Sequence, residues 1–492
     1  MQNLELLLVI SAGALLLFPP GLKEKIGRNY RLGFLLVVLA LQVLVEGYRW
    51  QMLPAYLLSI FALLQTLFSS GKKSPLLLRI GKYAIVVVLL GLACFLPMAL
   101  PVFKLPKATG SYLVGTRDIH LVLDRKEDIP AGAGKNRELM VKVWYPTDAR
   151  QGPKDPYCDP AGRAGFARKY GLPPFMMNYL DLIKTNVFRE VAVAEGQFPV
   201  LVFSHGYHSK ANGYYALLSE LASQGYIIFA PNHTYESTGS TFPDDRRAFF
   251  DRDYARKIQE NTWPVMEPAV KAFKEGLSFD ERHPIVRKSL KTYFVKDMTA
   301  RWAQDIRGVI DQLEDWNSKG AFAGKLNVRQ LGVFGHSRGG GAAAEALRLD
   351  ERIQAAANVD GVQWGPMVDT VLQKPFLFIS ADWPADHEDL NSHIYYKSKK
   401  KGAILYDSRI QKTAHSNFMD IPFMVPFRAV SGAGSLPATE AIEITRGLLV
   451  NFFDRHIKAE KVSPGDLKDK YAALEMEVHQ GASALSKKEN KD

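Results

Sequence analysis

A chain of 492 residues, 47% hydrophobic and 23% charged, has a globular composition, which excludes a disordered, collagen-like or disulfide-built protein. At about 150 residues per domain, the length allows about three domains. The net charge of +11 is uneven: residues 1–103 carry +6 and the remaining 389 only +5, leaving no basic stripe that would recommend nucleic acid as a partner. Two cysteines, Cys94 and Cys158, exclude a disulfide framework and a structural zinc site; Cys94 lies in an apolar run and reads as a buried thiol.

Four apolar stretches come first, at residues 6–18, 32–45, 52–68 and 83–100. The last two are 17 and 18 residues long, near the lower limit for a helix that crosses a bilayer. The first two reach that length with flanking residues at the interface. No positive charge precedes the first stretch, as a cleaved signal requires, so it reads as a retained helix. Lys23, Lys25, Arg28 and Arg31 follow the first stretch, and Lys72, Lys73, Arg79 and Lys82 precede the fourth; the middle loop has only Arg49. Positive loops stay cytoplasmic. Residues 1–103 therefore read as a multi-pass anchor of four transmembrane helices, with everything after Phe103 outside the cytoplasm. A linker at 104–110 spans at most about 25 Å at ~3.5 Å per residue.

After Pro106 the pattern changes. Strands are expected at 111–124, 139–145, 199–204, 226–230, 331–334, Ala355–Val359, Phe376–Ser380 and 403–406. The helical segments between them are 214–224, 300–316, Arg338–Leu349 and 438–457. The run 199–204 is apolar throughout, as a strand buried on both faces should be. Such alternation predicts an α/β domain over 111–462, a mostly parallel sheet with helices on both faces. Residues 152–195 and 236–296 interrupt the rhythm, the second as a candidate lid. Residues 463–492 read as a polar tail, disordered from 486.

The chemistry centres on Gly335-His336-Ser337-Arg338-Gly339, which follows an apolar strand and opens a glycine- and alanine-rich helix. Gly-x-Ser-x-Gly in that context is the sharp strand-to-helix turn that lifts a nucleophilic serine clear of the backbone, as in α/β-hydrolases. Ser337 needs a base, and the base an orienting acid, in the chain order serine, acid, histidine. Of the histidines that follow, His387 and His393 fall in a polar helix, His456 in the last helix and His479 in the tail. His415 remains, in the loop after the last expected strand. Asp360 and Asp382 close consecutive strands, and position alone does not separate them as the acid. The oxyanion donors are expected to be the backbone N–H of Arg338, the residue after the serine, and of Tyr207, in Ser204-His205-Gly206-Tyr207. His205, His208, His233 and His336 lack metal-ligand spacing, and His205 and His336 read as buried structural imidazoles.

Phe198-Pro-Val-Leu-Val-Phe-Ser-His-Gly, Leu221-Ala-Ser-Gln-Gly-Tyr-Ile-Ile, Gly-His-Ser-x-Gly-Gly, Asn358-Val-Asp-Gly and the His-x-Asn-Phe at His415 to Phe418 resemble the plasma platelet-activating-factor acetylhydrolase family of α/β-hydrolases. The likeness runs from about Val141 to Ile421. It implies Asp360 as the acid, Tyr207 and Arg338 as oxyanion donors, and calcium-independent chemistry without metal or cofactor. Arg338 departs from the aromatic or apolar residue that the family usually has after its serine. Its side chain is expected in a structural ion pair, with attraction for phosphate as the alternative.

The expected function is a membrane-anchored, extracytoplasmic serine carboxylic-ester hydrolase acting on lipid or small ester substrates. Short or oxidised acyl phospholipids are the favoured substrates, and a general carboxylesterase, lipase or polyester hydrolase is the enzymatic alternative. A catalytically silent hydrolase domain that serves as a membrane-tethered binding module is the non-enzymatic one.

Overall fold

The computed structural model describes residues 1–18, 26–68, 75–260, 262–383 and 385–481. Lys23, Lys25, Lys72, Lys73 and the tail from residue 482 lie outside the described residues. The chain divides into two compact units.

The smaller unit contains residues 1–104, with 173–184 and 423–430. Its helices are Asn3–Leu17, Arg28–Leu41 continued by Gln42–Glu46, Trp50–Met52 running into Leu53–Phe68, and Leu76–Ala99. Leu8, Ala12, Leu35, Ala55, Leu58 and Ala62 form its interior, while Ile10, Phe34, Val37, Leu57, Ile85 and Val88 face outward. An apolar outer surface around an interior of leucines and alanines suits a lipid surround. Three helices, Arg28–Glu46, Trp50–Phe68 and Leu76–Ala99, are long and apolar enough to cross a membrane. The expected four thus becomes three among the described residues. Asn3–Leu17 has 15 residues and stops because Phe18 turns extended before Pro19. Glu5 and Arg49 are buried together at 2.6 Å, and Arg49 also donates to the Leu100 carbonyl at 2.8 Å. Cys94 is half-buried on its helix, more open than its apolar run suggests. Residues 173–184 and 423–430, expected within the α/β domain, belong here: the Trp50 indole donates to the Met176 carbonyl at 2.9 Å, and the Phe95 and Phe427 rings lie 5.9 Å apart.

Among the described residues, the larger unit is built on twelve strands: β1 (Leu113–Lys126), β2 (Asn136–Thr147), β3 (Val187–Arg189), β4 (Phe198–Ser204), β5 (Ile227–Asn232), β6 (Ser240–Thr241), β7 (Arg247–Ala248), β8 (Leu326–His336), β9 (Ala355–Val359), β10 (Phe376–Ser380), β11 (Leu405–Ile410) and β12 (Leu474–His479). Ten of them make one sheet, ordered β12-β11-β10-β9-β8-β4-β5-β2-β1-β3, with β6 and β7 a separate hairpin. The run from β11 through β9, β8 and β4 to β5 is parallel, and β2 and β12 pair antiparallel at its margins. Both faces are covered. Along β4, Val200 and Val202 join the core of the helix Val295–Ser318, while Phe203 packs on Phe334, which meets Phe453 of the helix Ala438–His456.

Two expectations change. β12 pairs with β11, so the tail read as polar supplies an edge strand to the sheet. Residues 106–110 are bound to the α/β unit rather than a free linker: Thr109 donates to Glu220, Gly110 to Ser223, and Arg446 to the Pro106 and Lys107 carbonyls. The segment 236–296 opens on Glu236, which is buried in an ion pair with Arg301 at 2.6 Å. It then forms the β6-β7 hairpin and three surface helices.

Candidate active site

Parallel strands end on one edge of the sheet, where loops at their carboxyl ends can converge. Ser337 sits between β8 and the helix Arg338–Leu349 with φ 57° and ψ −125°, a conformation that costs about 1–3 kcal/mol. The neighbouring chain holds it there. Its N–H donates to the Val359 carbonyl at 2.8 Å, and its own carbonyl accepts from Gly340 and Gly341 at 3.0 and 3.2 Å. A Cβ on Gly335 would lie 2.3 Å from the Gly339 backbone, and one on Gly339 2.1 Å from the Ser204 carbonyl oxygen. Glycine is thus required at both positions by close approach of main chain.

His415 begins the short turn His415–Phe418 beyond β11. Its Nδ1 donates to Asp360 Oδ2 at 2.6 Å, and the other carboxylate oxygen accepts from the Ala381 N–H and the Trp383 indole, each at 2.8 Å. Asp382 is engaged elsewhere. Arg409 reaches it through Nε and Nη2 at 3.0 and 2.5 Å, and the Lys412 N–H at 2.7 Å. The Lys412 N–H, together with the arginine, holds its carboxyl below the usual range. Of the other histidines, His393 meets His283, His456 meets Tyr406, and His479 lies beside Glu477; the His387 side chain is outside the described residues.

The loop after β4 lies against the serine, since a Cβ on Gly206 would be 3.3 Å from Ser337 Cβ. Neither the Tyr207 nor the Arg338 N–H has an acceptor among the described residues, which leaves two unspent donors beside Ser337. A buried network holds this loop. His205 accepts from the His233 N–H at 3.1 Å and donates to the Gly206 carbonyl at 2.8 Å. His233 bridges Asp305 and the Ser204 hydroxyl, each at 2.8 Å, and Arg137 pairs with Asp305 at 2.6 Å. The Tyr214 hydroxyl accepts from the Gly206 N–H at 3.0 Å and meets His336 Nδ1 at 2.8 Å, and His336 Nε2 lies 3.2 Å from the His415 carbonyl. Burial drives the pKa values of His205 and His336 well below the usual one, so both are neutral linkers.

Sequence reasoning found His205 and His336 as buried imidazoles but missed Trp383, Tyr214 and Asp305. No spacing rule marks them, because each reaches the site from a distant segment.

Ser337, Arg338, Asp360, Trp364, Trp383 and His415 line a cavity of about 600 Å³. Atoms of His336, Asp360 and His415 lie within 4.8 Å of one another, a spacing that metal ligands also show. Here the carboxylate and the imidazole Nδ1 bond to each other, and both His336 nitrogens are engaged. The donor set is that of a hydrogen-bonded relay. Arg338 makes no ion pair with a carboxylate among the described residues, contrary to expectation; its guanidinium lies over the Trp364 ring at 5.2 Å.

A solved ferulic acid esterase from Streptomyces cinnamoneus shares the fold, with a TM-score of 0.59 and 24% identity over 76% of this chain and 99% of the esterase. The platelet-activating factor acetylhydrolases of Cavia porcellus and Canis lupus familiaris are 21% and 22% identical, each over 73% of this chain and 79% and 78% of their own lengths. A probable 1-alkyl-2-acetylglycerophosphocholine esterase of Arthroderma benhamiae is 23% identical over 52% of this chain and 59% of its own. The family model for platelet-activating factor acetylhydrolase, isoform II, matches residues 99–470. With the serine turn and the relay in one α/β-hydrolase sheet, the chain belongs to the platelet-activating factor acetylhydrolase isoform II family and is a serine esterase.

Proposed function

We propose that this protein is a membrane-anchored serine carboxylic-ester hydrolase that cleaves short or oxidised acyl esters of phospholipids at the outer face of a membrane. The observation that carries the catalytic part is the His415–Asp360 hydrogen bond at 2.6 Å beside a serine held on a strained turn. In this reading Ser337 attacks the ester carbonyl while His415 Nε2 takes the hydroxyl proton. Asp360 holds His415 with Nδ1 protonated and stabilises the imidazolium. The amides of Tyr207 and Arg338 receive the oxyanion. His415 then protonates the leaving alcohol, and water, deprotonated by the same histidine, releases the acid and restores Ser337. Water apart, each step uses side chains and amides of this chain.

The anchor reading takes the first helix as a fourth span, completed by residues flanking Asn3–Leu17. Glu5, Arg49 and Leu100 meet at one end of the helical unit, whereas Arg28, Arg31, Arg79 and Lys82 start helices at the other. Positive residues stay cytoplasmic, so the chain leaves the bundle on the outer side. A tethered enzyme meets lipid esters at high effective concentration, and the relatives' names point to the same substrate class.

A fluorophosphonate probe tests the catalytic reading. Wild type is expected to label and to hydrolyse short-chain esters in the presence of chelator, and Ser337→Ala to do neither while keeping its melting temperature. An unlabelled, inactive wild type would point instead to a silent binding module. A tenfold preference for sixteen-carbon chains over acetyl would point to a general lipase.

A further inference from the structure

We infer that the cavity contains an anion-binding subsite made by Arg338 and Trp364, with Tyr207 beside Arg338, so that the preferred ester carries a carboxylate or phosphate close to its reacting carbonyl. This rests on the esterase reading and narrows its substrate.

The charge pattern comes first. Among the described residues, three cations line the cavity: Arg338, Lys399 and Arg409. Lys399 pairs with Asp407 and Arg409 with Asp382, both at 2.5 Å. Arg338 has no carboxylate within ion-pair distance among the described residues. Its neighbours are aromatic: the Trp364 ring, and the Tyr293 and Tyr207 hydroxyls, which bear on its charge. Burial lowers its pKa without an acid to offset the cost.

A second observation points the same way. Trp364 Nε1 and the Tyr207 hydroxyl are buried with no hydrogen-bond partner among the described residues, where such groups are normally paired. The Trp364 ring packs on Tyr293 at 4.6 Å, and Trp364 is 6% exposed, so its indole does not turn to water easily. Both orphaned groups can donate, and the acceptor that the Arg338 guanidinium meets is a phenol, the Tyr293 hydroxyl, rather than a carboxylate. A methylene chain would leave the two orphaned donors unpaired and the guanidinium without a counter-charge. An anionic oxygen pairs with them, and a guanidinium suits the planar fork of a carboxylate or the faces of a phosphate. The amide of Arg338 is a candidate oxyanion donor, so its guanidinium lies one side-chain length from the carbonyl. The anion is therefore near the ester, either on a short acyl chain or on the adjoining alcohol.

The purified full-length protein would be assayed on two matched pairs: monobutyl glutarate against butyl valerate, and acetylglycerol phosphate against acetylglycerol. The readout is the ratio of kcat/KM within each pair, which cancels any loss common to both members. Wild type is expected to prefer the charged member at least tenfold in one pair, and that pair identifies the anion's source. Arg338→Met should reduce that ratio at least tenfold, Arg338→Lys less, and Tyr207→Phe and Trp364→Phe about threefold each. No charged preference in either wild-type pair, or a ratio unchanged within twofold in Arg338→Met, would overturn the subsite. Hydrolysis of neutral esters and phosphonate labelling in the same samples keep such a failure separate from failure of the esterase reading.

Discussion

Replacing Asp360 with asparagine tests the relay most directly, because the surrounding donors determine how the amide must sit. One carboxylate oxygen already accepts from the Ala381 N–H and the Trp383 indole, both at 2.8 Å. The amide oxygen of the introduced asparagine will occupy that place, since the opposite orientation would set an NH2 against two donors. The NH2 must then face His415, where the carboxylate now lies 2.6 Å from Nδ1. Nδ1 becomes an acceptor, the proton moves to Nε2, and the imidazole can no longer take a proton from Ser337. Loss of the correct tautomer costs on the order of 10⁴ in kcat in serine proteases, equivalent to about 5 kcal/mol of transition-state stabilisation. We expect a loss of 10³ to 10⁴ in kcat/KM on short-chain nitrophenyl esters for Asp360→Asn, with the fold retained. Asp382→Asn, which only loosens Arg409 and Lys412, should lose less than tenfold. Trp383→Phe, removing one of the two orienting donors, should lose threefold to tenfold alone and partly relieve Asp360→Asn when combined with it. More than a tenth of wild-type activity in Asp360→Asn, or equal losses at the two aspartates, would refute the assignment.

Gly339→Ala places a Cβ 2.1 Å from a backbone oxygen, so it should lower the melting temperature by several degrees and abolish activity even in the folded fraction. Asp420, two residues beyond the His415–Phe418 turn, is buried against the Tyr215 and Ala216 amides, and burial raises its pKa to about 7. Protons bind the folded state more tightly than the unfolded one between about pH 4 and 7, so this group's contribution declines as pH rises through that window, by up to about 1.4 kcal/mol per pH unit. Asp420→Asn should flatten the dependence of melting temperature on pH in that range, and an unchanged slope would exclude Asp420 as its source. In a background lacking Cys94 and Cys158, a cysteine replacing exposed Lys461 should react with an impermeant thiol reagent on intact cells, and one replacing Asn29 only after permeabilisation. The reverse pattern would turn the enzyme inward.

Local chemistry in the sequence determined Ser337 and its turn, because a strained residue between a buried strand and a close-packed helix demands glycines at fixed offsets. It determined the bounds of β9 and β10, which are short apolar runs closed by polar residues. It left Asp360 and Asp382 equal from position alone. Adjacent parallel strands lie about 4.8 Å apart, and only the sheet register and the left-handed turn at Asp360, φ 53°, aim one carboxylate at His415. β12 carries a two-residue alternation, Leu-Glu-Met-Glu-Val-His, but it follows a polar stretch, and its role becomes evident only where β11 offers an open edge. The tertiary structure alone assigned residues 173–184 and 423–430 to the helical unit. Their apolar side chains read equally well as surface excursions until Trp50 and Phe95 supply partners. It alone also left Arg338 without an acid, since whether a charge is paired depends on the chain segments that fold against it.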